Sequence, residues 1–357
     1  MSETSTPGAR IVKIAVLVIA ALLLFAPFLF QDIRSLEVAA RICVFIVLVA
    51  SYDLLIGYTG IVSFAHTMFF GFGAYGAAIA LRQMGPGWDA VILGSLGGVA
   101  VSVVIAVLIG LLSLRVKAIF FAMITLAAAS VALVLASQLS QFTGGEDGIT
   151  YRAPDLFKTA TKLVETEDGK VARFLGVRLN GKLAAYYFVF FTSLILFLVM
   201  LRLVVSPVGT VLKAIRENEA RAEAIGYRVV AHRTFVFCFA AVVASLAGSI
   251  YAIWLKYTGP DTALSFTIMI DILLMVVIGG MGTMYGAVIG AVLLVLAQYY
   301  LRDLMGVAAE AMQGVPVLPF ILEPDRWLFW LGVIFILLVY FFPKGIAGTI
   351  AQRGARG

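Results

Sequence analysis

The chain predicts an all-α integral membrane fold of about ten transmembrane helices, and three observations carry that expectation. Hydrophobic residues make up 62% of the 357 and charged residues only 13%, whereas a soluble domain carries roughly twice that charged share. The mean hydropathy is +1.05. Apolar runs of the ~20 residues that cross a hydrocarbon core recur near 12–30, 36–56, 58–82, 89–113, 118–141, 184–205, 233–256, 264–282, 284–301 and 326–343. The whole chain, 1–357, therefore reads as one membrane domain, with two polar segments at 142–183 and 206–232.

The first run follows Arg10 and Lys13 and has the charge pattern of a leader peptide. It is long and lacks a small-x-small cleavage site, so a retained first helix is expected. The pair 264–301 is interrupted by Gly279, Gly280, Gly282 and Gly286 and could be one broken element. A net charge of +6 suits the loops of a membrane protein and gives no reason to expect nucleic acid as a partner. Cys43 and Cys238 lie within apolar runs and read as small core residues. Ten spans put both termini on one side, together with 206–232. Lys and Arg are shared about equally between the two sides, so charge alone leaves the orientation open.

The stretch "GYTGIVSFAHTMFFGFGAYGAA", residues 57–78, is apolar yet contains Gly57, Gly60, Gly71, Gly73 and Gly76. Small residues let helix backbones approach closely in lipid, so helix packing is expected of Gly71 and Gly73 and of the later Gly279, Gly280, Gly282 and Gly286. Gly57 and Gly60 permit an unwound entry whose freed backbone groups must face protein or water. With Thr59, Ser63 and His66 they form a candidate lining of a translocation path.

The segment 142–183 is too long for an ordinary connection. In "VETEDGKVARF", Asp168-Gly169 lies between alternating apolar and polar residues, which predicts a hairpin over 161–175. Asn180-Gly181 is a second turn signal. The segment "SPVGTVLKAIRENEARAEAIGYRVVAHR" opens with Ser206-Pro207, an N-cap and first-turn pair. Val211, Ile215, Ala222 and Ile225 fall on one helical face. Lys213–Glu217 and Glu217–Arg221 have i,i+4 spacing, and Gly226 is a stop or sharp turn. An exposed helix with a small apolar face is expected here.

Catalysis has little to build on. His66 and His232 are the only histidines, and no catalytic or metal-ligating cluster is spelled out. The acids within spans, Asp53 and Asp271, each begin a similar pattern, "DLLIGYTG" and "DILLMVVIGGMG". Such acids often mark ion paths, which keeps a stand-alone proton-coupled transporter open. The plainer reading is that each lies near a span end or satisfies backbone at a glycine break. The likeness of the two patterns suggests a repeated half.

Four motifs then coincide in order: "GYTGIVSFAHTMFFGFGAYGAA", "SPVGTVLKAIRENEARAEAIGYRV", "IGGMGTMYGAVIGA" and "FFPKGIAG". Together they resemble the LivM-type permease of branched-chain amino acid ABC importers, and "TGGEDGI" at 143–149 is also similar to that family. The resemblance implies a ten-helix permease of the type II-like (LivH/LivM) architecture in the inner membrane, with both termini cytoplasmic and 142–183 outside. It implies as partners a LivH-type second permease, two ATPase subunits and a periplasmic binding protein. It makes 206–232 the cytoplasmic coupling loop, with Ile215, Arg216, Glu217, Glu219, Arg221 and Gly226 as candidate ATPase-coupling residues. Related importers carry branched-chain amino acids, other amino acids, urea, amides or small carboxylates, so the solute stays open. Two departures stand out. Glu219 precedes Gly226 by one residue more than the family's loop has, and 142–183 is longer than the family needs. Gly-x-x-x-x-Gly-Lys-Ser/Thr is missing, so ATP and Mg²⁺ are expected on partner subunits and no cofactor in this chain.

Overall fold

The apolar runs are helical because lipid offers backbone amides no other partner. The computed structural model describes residues 7–30, 32–113, 118–161, 173–174, 177–311 and 323–356. Its first half contains α1 Pro7–Leu29, α2 Ile33–Ile56, α3 His66–Met84, α4 Trp88–Ser113, α5 Ala118–Gln138 and the short α6 Ser140–Thr143. Next come β1 Ile149–Thr150, β2 Arg173–Phe174, β3 Val177–Arg178, α7 Gly181–Val205, α8 Pro207–Glu217, α9 Glu219–Ala224 and α10 Val229–Leu255. The chain ends with β4 Tyr257–Thr258, α11 Pro260–Ala263, α12 Phe266–Gly279, α13 Met284–Ala311, α14 Trp327–Phe341 and α15 Gly345–Arg356. Among the described residues, nine helical stretches are long and apolar enough to cross a membrane. The tenth long helix is α3, which carries His66, Arg82 and Gln83 at its ends. The all-α membrane fold expected from composition is the one observed.

Burial sorts the helices. Most of α2, α3 and α10 is enclosed, whereas α1 and α14 expose leucine, isoleucine and phenylalanine around most of their faces. In water such exposure would be costly; in lipid it is the required outer surface. Phe69 and Phe121 both meet Phe237 edge to face at 5.5 Å, joining α3, α5 and α10 at the centre.

Glycine sets the closest approaches. A Cβ at Gly73 would overlap the Ser245 carbonyl oxygen, and one at Gly248 would overlap that of Phe70. Ser249 Oγ donates to the Gly73 carbonyl at 3.0 Å, so α3 and α10 are bonded as well as packed. On the other side of α3, Cβ atoms at Gly76 and Gly98 would come within 2.5–2.6 Å of carbonyl oxygens of Gly94 and Phe72. Likewise Gly279, Gly286 and Gly290 bring α12 and α13 into backbone contact, while Gly71 accommodates the Leu264 side chain.

The run 264–301 is two helices, separated at 280–283, as its two spans predict. Several local expectations are corrected. Asn180 does not open a turn: its Oδ1 accepts from Leu183 N at 3.3 Å and caps α7. Ser206 precedes α8, but its hydroxyl donates to the Leu203 carbonyl at 2.6 Å instead of capping. The turn at Asp168-Gly169 lies outside the described residues; Arg173–Phe174 pairs antiparallel with Val177–Arg178. The first part of the long loop is folded. Gly144, Gly145 and Gly148 take positive φ, β1 pairs with β4, and Tyr151 Oη donates to the Ala252 carbonyl at 2.8 Å.

Substituting Gly73 by Leu is expected to destabilise the chain by more than the ~1–3 kcal/mol of ordinary overpacking, because backbone must move. Gly97, whose Cβ would meet nothing within 4 Å, is the control. Monodisperse yield and thermal midpoint in detergent should collapse for Gly73→Leu and stay near wild type for Gly97→Leu.

Candidate functional site

Two helix breaks meet at one end of the bundle. The chain leaves α2 at Gly57 and does not become helical again until His66, and it breaks a second time between α12 and α13. Left-handed backbone at Gly60 (φ +72), Gly280 (φ +113) and Gly282 (φ +82) makes these breaks possible. Asp53, on the last turn of α2, accepts a hydrogen bond from Gly282 N at 2.8 Å. The first acid of one "D…G" pattern thus satisfies backbone freed by the other. Gly57 and Gly282 touch so closely that a Cβ on Gly57 would overlap Gly282 N.

An exposed helix pair is fastened to this junction. Arg216 of α8 donates from its guanidinium to the Gly57 carbonyl, and its charge also acts on the Asp53 carboxylate. Lys213 stands over the Tyr58 ring at 5.5 Å. Between them lies a polar cavity of about 430 Å³ lined by Gly57, Tyr58, Lys213, Arg216, Glu217 and Gly282. α8 ends where Asn218 turns extended (φ −157, ψ 99), and the Asn218 side chain caps α9 by accepting from Arg221 N at 2.9 Å. Because the helix breaks there, Glu217 and Arg221 are not an i,i+4 pair within one helix, as their spacing had suggested. Glu219 instead forms a two-pronged ion pair with Arg233 of α10, at 2.7 and 3.0 Å.

The apolar face of the pair packs back onto the bundle. Ile215, Ala222 and Val229 form a buried cluster against Val211, and Leu212 is buried too. Ile215 therefore holds α8 to α9 and α10. Ile225, expected on the same face, is exposed at 67% because the chain turns away at Gly226 (φ +96). Glu217, Arg221 and Gly226 face outward together with Ile225 and Tyr227.

The residues proposed as a pathway lining are placed differently from one another. Gly57 lines the cavity and Gly60 is exposed beside Arg216. Thr59 donates to the Leu55 carbonyl at 2.6 Å, Ser63 accepts from Ala65 N at 3.3 Å, and His66 Nε2 bonds Ser51 Oγ at 2.7 Å. All three are buried, and the cavity does not reach them. No group of three or more His, Cys, Asp or Glu among the described residues could hold a metal.

The start of α1 and the helix α15 share this face of the bundle. Gly8 of α1 packs against Ile350 and Ala351 of α15, and Gly280 meets Lys344 and Gly345. Arg216, expected only as a coupling residue, is also a bridge to the junction, and its pairing joins segments too far apart in sequence for helical spacing to reveal. Asp271 likewise faces Arg41, which comes from α2.

The family model for "Branched-chain amino acid transport system / permease component" matches residues 35–340. The chain belongs to that family. It is 27% identical over 334 residues to the high-affinity branched-chain amino acid transport system permease protein LivM of Salmonella typhimurium, covering 91% of this chain and 76% of the relative. Identity to the corresponding LivM of Escherichia coli is 25% over 326 residues, 89% of this chain and 75% of that one. A probable LivM of Methanocaldococcus jannaschii is 30% identical over 176 residues, 47% and 48% of the two chains. No solved structure matches. The chain is accordingly a multi-pass membrane permease, and the junction belongs to that permease.

Asp53→Ala is expected to cost about 1–3 kcal/mol by leaving Gly282 N unpaired in the interior. Asp53→Asn keeps a carbonyl acceptor at the same place and should unfold close to wild type. Thermal unfolding of both variants in one detergent checks the pair.

Proposed function

We propose that this chain is the membrane permease subunit of an ATP-driven importer for branched-chain amino acids or a related small polar solute. In this reading a LivH-type permease, two ATPase subunits and a periplasmic binding protein complete the machine. Both termini and the α8–α9 pair face the cytoplasm of a cell with an inner membrane, and 142–183 faces outward. The supporting observation is the bond from Arg216 to the Gly57 carbonyl. It ties an exposed helix pair, free to seat on a partner, to the point where two broken spans meet. A push on α8–α9 would act on both breaks at once, and breaks are where a helical bundle bends most easily. Family membership and the LivM relatives support the choice of solute class.

The rival reading, a proton-coupled transporter, needs Asp53 or Asp271 to exchange protons with a pathway. Asp53 has instead the backbone-satisfying position described above, so Asp53→Asn should keep uptake if ATP drives transport and abolish it if proton exchange at this carboxylate does.

The decisive experiment is reconstitution with the ATPase, second permease and binding protein. Reversing charge at Arg216 and Arg221 together, or changing Gly226 to Leu at its left-handed φ, should leave the permease in the membrane. Solute-stimulated ATP hydrolysis and uptake of labelled leucine should both fall at least tenfold. Normal rates in both assays would remove α8–α9 from the coupling role.

A further inference from the structure

At the opposite end of the bundle from α8, a second polar cavity of about 320 Å³ opens between α2, α7, α10 and α13. That volume is at the lower end of small-ligand pockets. Its charged lining is Glu37 and Arg41 from α2, Lys182 from the start of α7, and Lys256 just past α10. The rings of Phe157, Tyr251, Trp254 and Tyr299 form most of the remaining wall, with Thr159, Ala185 and Leu255.

The cations are poorly satisfied by the protein. Arg41 stacks on Phe45 and Tyr299, with its guanidinium carbon 5.0 and 5.5 Å from the ring centres, and donates to Tyr299 Oη at 3.2 Å. Its Nε is enclosed and has no hydrogen-bond partner among the described residues. Lys182 reaches Glu37 only at 3.9 Å, and Lys256 Nζ reaches the Phe157 carbonyl only at 3.4 Å. Asp271 acts on Arg41 from the far side, which still leaves three cations to two carboxylates around the cavity. Burial, and after it the charge of Lys182, holds the Lys256 amine below the ordinary lysine value. An arginine within a span is costly unless something pairs with it.

We infer that this cavity docks the carboxylate of a small aliphatic amino acid entering the permease from the outer side. The guanidinium of Arg41 and the amine of Lys256 supply charged donors to the carboxylate. Glu37 at the rim accepts from the ammonium, and the aromatic wall takes the aliphatic side chain. The choice of solute rests on the import function proposed above; the anion site itself rests on the cavity.

The full chain, in nanodiscs of phosphatidylcholine, would be titrated with L-leucine, 4-methylpentanoate and L-leucinamide. Tryptophan fluorescence, with Trp254→Phe as the blank, and saturation-transfer NMR report binding. Leucine and 4-methylpentanoate should bind at least tenfold tighter than leucinamide. Arg41→Gln and Lys256→Gln should each weaken both carboxylates at least tenfold, and Glu37→Gln should weaken leucine alone. Should Arg41→Gln fail to fold, Lys182→Gln and Lys256→Gln at the mouth carry the test. Equal affinity for leucine and its amide, or carboxylate affinity unchanged in Lys256→Gln, overturns the site. Phosphatidylglycerol added to the nanodisc would also overturn it by abolishing all leucine binding, since the cavity would then be a lipid headgroup seat. Leucine uptake by the reconstituted importer separates the two claims. Uptake without carboxylate binding sinks the site and leaves the function standing; carboxylate binding without leucine uptake does the reverse.

Discussion

Backbone released from a helix within a membrane has no water to turn to, so it must be satisfied by protein. In this permease part of that constraint is met across the bundle: Asp53 holds the amide of Gly282. The bond gives Gly282 N, freed where the second span stops being helical, an acceptor from the end of α2. Arg216 answers the complementary need by capping the Gly57 carbonyl. Because acid and base come from different segments, the two breaks and the exposed helix pair form one mechanical unit. Removing either side chain leaves the backbone group it pairs without that partner, at a cost that grows with burial.

The second constraint is packing without a hydrophobic driving force. Lipid is as apolar as leucine, so helices hold together through close contact and a few hydrogen bonds. α3 shows how the sequence meets this. Its glycines lower intrinsic helix propensity, yet they bring its backbone against α10 on one side and α4 on the other. Ser249 then adds a bond to the Gly73 carbonyl that a bulkier contact would have kept out of reach. A helix that would be weak alone becomes the centre of the bundle through its neighbours.

Much of the fold was legible because the solvent is legible: long apolar runs can only be helices here. The glycine breaks near 57 and 280 were visible for the same reason, as flaws in otherwise regular runs. What was hidden depends on pairs distant in sequence. Asp53 with Gly282, Arg216 with Gly57, and Glu219 with Arg233 each join different elements, and no spacing rule within a helix reveals them. Asn180 was misread because Asn-Gly serves both a turn and a helix start; only Leu183 N, waiting for a cap, decides. Ile225 was misread because a helical wheel assumes the helix continues, and Asn218 and Gly226 interrupt it. Arg41 was overlooked although a lone arginine inside an apolar run is itself a signal.

α2 carries the last step of this reasoning. Arg41 lies in its first half and Asp53 on its last turn, about 18 Å apart along a helix rising 1.5 Å per residue. The helix between them is buried on nearly all sides, so it transmits displacement as a rod and has little room to bend. A solute at Arg41 and a force arriving through Arg216 would therefore act on the same rigid element from its two ends. Coupling of this kind requires only that each event favour one position of α2 over another, and linkage then makes the effect mutual. In the functional reading proposed above, an occupied cavity at Arg41 would alter how firmly the α8–α9 pair is held, and a partner seated on that pair would alter the grip of the cavity.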